Sequence, residues 1–264
     1  MVHWSPSPEI VSIGSFSIRW YGLLFALGFL GCYFVERWIF KREGKSLKAL
    51  DDLFLYTFFG VVIGARLGHV LFYDPGYYLS NPVEVLKVWR GGLASHGALA
   101  GVLVALVIFV RTHHEFGYLW LLDRMSVAAP LGAACVRIGN LFNSEIYGKP
   151  TSVPWAFVFA RVDAVPRHPT QLYEAASSLV TLLILVALYR REPLREREGF
   201  LFGSWLLVLF LARFLIEFVK EPQSAFEVGL PINMGQILSI APIVAGVVLM
   251  VRALLREGGR RPSV

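Results

Sequence analysis

The chain has 264 residues, 56% of them hydrophobic and 17% charged, with 25 Lys and Arg against 19 Asp and Glu. A mean hydropathy of +0.58, with apolar runs long enough to cross a bilayer at about 20 residues per helix, excludes an ordinary soluble domain. The net charge of +6 follows a membrane pattern and requires no nucleic acid, and the two cysteines, Cys32 and Cys135, have neither disulfide nor metal-site spacing and read as small packing residues.

The N-terminal stretch MVHWSPSPEIVSIGSFSIRW lacks a basic start followed by an apolar core, so it is not read as a cleavable signal peptide. Its loose alternation of Val11, Ile13, Phe16 and Ile18 suggests that residues 1–19 lie at the outer membrane interface. Seven helices follow, over about 20–40, 53–73, 93–111, 118–141, 172–190, 199–219 and 235–254. Residues 142–171 form the expected outer loop, a small cap with some extended structure. The expected fold is therefore an all-α polytopic membrane protein, 1–264 being one integral membrane domain. Interfacial aromatics such as Trp20, Tyr21, Trp89, Tyr118 and Tyr189 mark span ends. Gly60, Gly64 and Gly68 form a double GxxxG and Gly97 and Gly101 another, a spacing that lets helices approach closely.

Basic residues set the expected orientation. With the N-terminus outside, fourteen Lys and Arg fall in inner segments, among them Lys41, Arg42, Arg190, Arg191, Arg260 and Arg261. Seven, including Lys87, Arg90, Arg167 and Lys220, fall in outer segments, while Arg66, Arg124, Arg137 and Arg213 lie within spans. This bias favours the N-terminus outside and the C-terminus inside.

That orientation brings unusual polar groups to the outer leaflet. VRIGNLFNSEIYG (136–148) leaves the fourth helix with Arg137, Asn140, Asn143 and Glu145. Tyr21 begins the first helix and His96 the third; RHPTQLYE (167–174) leads into the fifth; Arg213 and Glu217 lie near the outer end of the sixth; INMGQ (232–236) opens the seventh. A single arginine near a span end can simply snorkel to the headgroups. Glu217, one turn after Arg213, can serve mainly to hold that guanidinium. Two arginines at one depth, each costing roughly 2.5–3.5 kcal/mol at mid-span, together with these amides and carboxylates, point to a site. Guanidinium is planar, always charged and bidentate toward phosphate oxygens, and the nearest abundant phosphate is a lipid headgroup. His96 is of the residue type that titrates near neutrality, and it is either a proton acceptor or a structural helix-end residue. Arg66, nearer mid-helix with His69 one turn on, either lines a cavity or is bonded to buried carbonyls. Asp123 and Arg124, at the inner end of the fourth helix, read as structural.

Together these residues resemble the bacterial phosphatidylglycerol–prolipoprotein diacylglyceryl transferases. The family pattern G-R-x-G-N-F-x-N-x-E-x-x-G is kept at Arg137, Gly139, Asn140, Asn143, Glu145 and Gly148, with Val136 and Leu141 departing from it. GGLASHGALAG keeps Gly91, Gly92, His96, Gly97 and Gly101, with Ser95 and Ala98 departing. WYGL (20–23), GARLGHVLFYD (64–74), RHPTQLYE and MGQILSI (234–240) match in order, and Lys220, Glu221, Pro222, Gln223 stand where R-x-P-D is usual. The resemblance runs from about Trp20 to Arg252.

It implies seven membrane helices with the N-terminus outside, in the bacterial cytoplasmic (inner) membrane, and an active site toward the outer leaflet. It also implies a reaction. The diacylglyceryl group of phosphatidylglycerol moves to the lipobox cysteine thiol of a prolipoprotein signal peptide, a thioether forms, and glycerol 1-phosphate leaves. The substrate supplies the nucleophile, so no reactive cysteine is needed in the chain. On this resemblance Arg137 and Arg213 hold the phosphate and the departing charge, and His96 accepts the thiol proton or positions the headgroup. Tyr21, Asn140 and Asn143 bind glycerol or phosphate oxygens, and Glu145 and Glu217 orient the arginines. Arg66 and Gly148 complete the substrate-binding set. No metal or other cofactor is expected.

Two rival classes use overlapping residues. A transporter or flippase for an anionic solute or lipid would show repeats and helices broken at mid-membrane; the sequence offers only Pro130 and Pro242 as kink points. An intramembrane serine protease could use Ser95, but its neighbour His96 is poorly placed to act as its base.

Overall fold

The structure, a computed structural model, describes residues 1–14, 16–88, 91–222 and 232–256. Trp89, Arg90, Gln223, Arg260 and Arg261 lie outside the described residues. In chain order the helices are α1 (Trp20–Arg42), α2 (Leu47–Phe72), α3 (Pro75–Ser80), α4 (Ser95–Thr112), α5 (Tyr118–Asn143), α6 (Thr170–Arg190), α7 (Glu192–Arg195), α8 (Phe200–Ile216) and α9 (Met234–Leu255). A 3₁₀ turn, Glu217–Val219, extends α8. Among the described residues, seven of these helices, all but α3 and α7, are long and apolar enough to cross a membrane. Both α5 and α9 continue through Pro130 and Pro242.

Short strands interrupt the expected all-helical picture. β1 (Val2–Trp4) runs parallel to β4 (Phe157–Phe159), which pairs antiparallel with β5 (Pro166–Arg167). β2 (Glu9–Ile13) and β3 (Phe16–Arg19) form a hairpin with Val11 opposite Ile18, which accounts for the alternation at the N-terminus.

The chain divides into two compact units, Glu36–Leu121 and a second built from residues before and after it. Within Glu36–Leu121, α2 meets α4 through glycine. A Cβ on Gly68 would lie 2.7 Å from the Gly97 Cα, and one on Gly60 would lie 2.7 Å from the Gly101 carbonyl oxygen. The two GxxxG stripes are thus the two sides of one interface, in which backbone-to-backbone packing substitutes for larger side chains. At the opposite end of these helices Phe40, Phe109, Phe116 and Trp120 cluster, with Lys45 Nζ 5.4 Å from the Trp120 ring centre.

In the other unit, α1 packs on α5 at Gly28 and Gly31, against Cys135 and Leu131. The Cys32 thiol donates to the Ala128 carbonyl at 3.3 Å, so both cysteines belong to this helix contact. α8 packs on α9 where Gly203 faces Gly246, and α6 packs on α8. Asp123, fully buried, accepts the Gly199 and Phe202 backbone N–H groups at 2.7 and 2.8 Å. It satisfies amides that the start of α8 leaves without helical partners, a structural task. Arg197 does the converse, donating to the Leu254 carbonyl at the end of α9 at 2.8 Å.

Candidate active site

The stretch after α5 explains the local geometry. Ser144 N–H donates to the Leu141 carbonyl at 3.0 Å and Glu145 N–H to that of Asn140 at 3.1 Å, closing the helix in a Schellman motif. The motif requires a left-handed residue, normally glycine, and Ser144 occupies that position with φ 54°. Two residues on, Ile146 also has φ 59°. Positive φ is a genuine outlier for a β-branched residue, and such positions cost of order 1–3 kcal/mol each. Trp4 and Arg161 donate to the carbonyls of Leu141 and Phe142 at 2.9 and 3.1 Å, satisfying the end of α5.

Between the two strained residues, Glu145 Oε1 accepts from Asn140 Nδ2 at 2.8 Å and from Asn143 Nδ2 at 3.0 Å. Asn140 Oδ1 in turn accepts from Arg137 Nη1 at 3.4 Å. The three-residue spacing of 137, 140 and 143 places these side chains on one face of α5. The link from Glu145 to Arg137 therefore runs through Asn140.

The carboxylate ion-paired with Arg137 is Glu174, one turn into α6, with Arg137 Nε 3.1 Å from its Oε2. Its other oxygen meets Lys220 Nζ at 2.9 Å, and Lys220 also meets Glu217 Oε1 at 3.1 Å. Arg213 Nε lies 3.7 Å from that same Glu217 oxygen. Asn233, which caps α9 together with Gln236, donates to Glu217 Oε2 at 3.2 Å. Gly235 is required beside it, because a Cβ there would collide with the Glu217 carboxylate. Arg137, Glu174, Lys220, Glu217 and Arg213 thus form a row of alternating charge. Lys220 joins both carboxylates through one ammonium, a task that a point charge with rotatable donors can perform.

Burial distinguishes the middle of the row from its ends. The Glu174, Lys220 and Glu217 side chains are 8%, 4% and 7% exposed, against 22% for Arg137 and 37% for Arg213. Among the described residues, Nη2 of Arg137 and both Nη atoms of Arg213 have no protein partner. The buried centre holds two carboxylates against one ammonium, so the guanidinium ends supply the balancing positive charge while keeping donors available for an anion.

The groups meet because chain direction alternates. The row and its neighbours are drawn from the starts of α1, α6 and α9 and the ends of α5 and α8. Tyr21, half-buried at the start of α1, packs over Gly139, where a Cβ would lie 2.8 Å from the ring. Gly148 donates its N–H to the His168 carbonyl at 2.9 Å and bridges to Lys220 through the backbone. Nearby, Arg167 lies over the Tyr147 ring and bonds Asp163 at 2.7 Å and Glu221 at 3.2 Å. The Arg167 hydrogen bond, then the Val165 N–H, holds the Asp163 carboxyl below the usual carboxylate range.

His96 and Arg66 belong to the Glu36–Leu121 unit. His96 is exposed in the first turn of α4. Arg66 is 5% exposed and takes the carbonyl-bonded alternative. Its guanidinium donates to Val85 at 2.8 Å, Gly91 at 2.7 Å, Gly92 at 3.1 Å and the Glu84 carbonyl, and it lies over the Tyr78 ring.

Sequence reasoning did not single out Glu174, Lys220, Asn233, Thr170 and Gln171 as site residues, although every one lies in a quoted motif. The available signal for Glu174 and Lys220 was charge at span ends; which helices stand side by side was the missing information.

These features define a polytopic membrane protein in which a row of alternating charge and its polar neighbours are assembled from five helix ends. Residues 8–252 match the protein family described as prolipoprotein diacylglyceryl transferase. The chain is 47% identical over 250 residues to the phosphatidylglycerol–prolipoprotein diacylglyceryl transferase of Tolumonas auensis, covering 95% of this chain and 96% of that one. It is 46% identical over 254 residues to the protein of the same name from Chloroherpeton thalassium, covering 96% and 94%. For the one from Bacteroides fragilis the identity is 43% over 261 residues, covering 94% of each. The chain belongs to the prolipoprotein diacylglyceryl transferase family.

Proposed function

We propose that the chain transfers the diacylglyceryl group of phosphatidylglycerol to prolipoproteins. The acceptor is the thiol of a lipobox cysteine in the signal peptide. The sulfur–carbon bond forms as the bond from that carbon to the phosphate oxygen breaks. The thiol proton goes to a base, and the electron pair leaves with glycerol 1-phosphate. The observation that carries this reading is the buried Glu174–Lys220–Glu217 centre flanked by two guanidiniums that, among the described residues, keep unpaired donors.

In this reading Arg137 and Arg213 bind the lipid phosphate and stabilise the charge that develops on the leaving oxygen. Tyr21, Asn140 and Asn143 contact glycerol or phosphate oxygens. Glu145 fixes the amides, and Glu217 and Glu174 fix the arginines. Gly148 keeps the loop close to Lys220. Arg66 acts by holding the Glu84–Gly92 segment that leads to His96. His96 takes the thiol proton or positions the headgroup; a free thiol is only a few per cent thiolate near neutrality, so a base or a positive field is required. The chain works as one integral membrane domain in the bacterial inner membrane, N-terminus outside and C-terminus inside, with 142–171 as an outer cap and the site toward the outer leaflet. The distribution of basic residues supports that orientation.

The test is reconstitution with phosphatidylglycerol vesicles and a lipobox peptide carrying one cysteine. The peptide gains the mass of one diacylglyceryl unit, and the gain disappears when its cysteine is replaced by serine. Folded protein that transfers nothing from any of several anionic lipids would overturn the reading.

A further inference from the structure

The two residues that open α6 touch the strained turn after α5. Thr170 Oγ1 donates to the Ile146 carbonyl at 2.9 Å, and Gln171 Nε2 donates to the Glu145 carbonyl at 2.8 Å. Both side chains are fully buried. Consecutive side chains therefore grip consecutive carbonyls, within a turn whose Ser144 and Ile146 have φ of 54° and 59°. The neighbouring backbone reinforces the contact: Gly148 N–H donates to the His168 carbonyl at 2.9 Å, and His168 N–H to that of Lys149 at 3.1 Å. Glu174 follows Thr170 by one helical turn and holds Arg137. The first turn of α6 thus meets Arg137 twice, directly through Glu174 and indirectly through the turn that carries Glu145.

We infer that Thr170 and Gln171 are positioning residues. They hold residues 144–146 in a backbone conformation that Ser and Ile resist. This keeps the Glu145 carboxylate on the amides of Asn140 and Asn143, and through Asn140 keeps Arg137 aimed. Side chains in this sequence occupy positions where glycine would adopt positive φ without strain, so the turn's own backbone bonds are supplemented by contacts from outside it. Displacements of about 1 Å at a reacting group can cost on the order of a hundredfold in rate, which is why an imposed geometry matters here. The inference rests on the transferase reading for its catalytic consequence, but not for its structural one.

Gln171→Leu is the direct probe, with Thr170→Val as the second, nearly isosteric one if the first folds poorly. Each is expected to lower kcat/KM about tenfold, by loosening rather than deleting an orienting contact. The distinguishing measurement is rescue. Ile146→Gly added to the Gln171→Leu protein restores most of the rate, because glycine needs no clamp to hold positive φ. Ile146→Ala added to the same protein does not, because alanine is still strained there while losing the same side-chain packing. Amide hydrogen exchange over residues 144–148, followed by mass spectrometry, gives a readout independent of transfer. Protection falls in Gln171→Leu and returns with glycine but not with alanine. Full wild-type rates and protection in both single variants, equal rescue by glycine and alanine, or no rescue by either would overturn the inference. If the wild-type protein transfers nothing, the proposed activity fails and exchange alone decides the clamp.

Discussion

Arg66 and Arg137 are both arginines inside membrane-spanning helices, yet they use their donors in different ways. Arg66 is buried and bonded to four backbone carbonyls of one segment. Arg137 is partly exposed, holds one carboxylate and one amide oxygen, and among the described residues keeps Nη2 unpaired. Position within a span therefore does not separate an arginine with a filled fork from one with a donor to spare. The number of committed donors does. An arginine whose fork is filled by main-chain oxygens shapes a loop, whereas one balanced by a single buried carboxylate has electrostatic support and spare valence for a phosphate.

The comparison depends most on what lies beneath Arg137, so the largest expected effect is at Lys220. Lys220→Met leaves Glu174 and Glu217 buried with one cation fewer between them, and breaking a buried pair of this kind costs about 3–5 kcal/mol. The thermal midpoint in detergent should fall sharply, whereas Lys220→Arg should recover most of it by keeping the charge. If Lys220→Met melts like the wild type, the two carboxylates are held by something else and the alternating row has no energetic meaning.

Exchanging both arginines for lysine then separates the two uses. Arg137→Lys keeps the charge but loses the planar fork, and transfer should fall about 10²–10³-fold, the range seen when a donor to developing charge is removed. Its stability should change little. Arg66→Lys should behave in the opposite way. One ammonium does not reach four carbonyls, and stranded buried acceptors cost about 1–3 kcal/mol, so the melt drops while transfer per folded molecule falls less than about tenfold. Transfer assays and melting curves on the same two proteins check this, and parallel losses in both measurements would erase the distinction.

The spans were legible because a bilayer imposes a crude and strong rule on composition. Six of the seven expected spans agree with the structure to within two residues. α2 starts at Leu47, well before the expected position, because Ser46 caps it and the polar first turns through Asp51 and Asp52 lower the hydropathy without breaking the helix. The glycine stripes were legible for the same reason: small residues at four-residue spacing have few other uses in a membrane helix. Arg137, Asn140, Asn143 and Glu145 could be grouped because they are neighbours on one helix end. Glu174 and Lys220 could not, since they meet only when α6 stands between α5 and the end of α8, a long-range fact that local periodicity does not encode. The turn at Ser144 and Ile146 was invisible for a further reason. Left-handed conformations are normally announced by glycine, and here the conformation is imposed by Thr170 and Gln171 from another helix. The strand pairing of Val2 with Phe157 is as distant in sequence and as short, so nothing in either segment alone announces it.

The smallest expected effect comes from an ion pair partly open to water rather than enclosed among helices. Asp163 and Arg167 lie between the spans, their side chains 30% and 13% exposed, joined at 2.7 Å. Arg167 holds the Asp163 carboxyl below its usual range, so the charged form is favoured in the folded protein. The stability this contributes is present above the ordinary aspartate pKa of about 3.9 and is lost as pH falls through the depressed folded value. Asp163→Asn should therefore lower the thermal midpoint slightly at neutral pH, by an amount corresponding to about 0.2–1 kcal/mol for a pair of this exposure. The gap between variant and wild type should close as the buffer is taken below that range. It should also narrow in high salt, because the charges are screened. The Lys220 loss should persist in salt, because the Glu174 and Glu217 carboxylates it pairs with are enclosed. A gap at Asp163 that closes in acid but is indifferent to salt would mean that the carboxylate acts mainly by accepting the Val165 N–H and shaping its loop, and that charge pairing matters in this protein only where water is excluded.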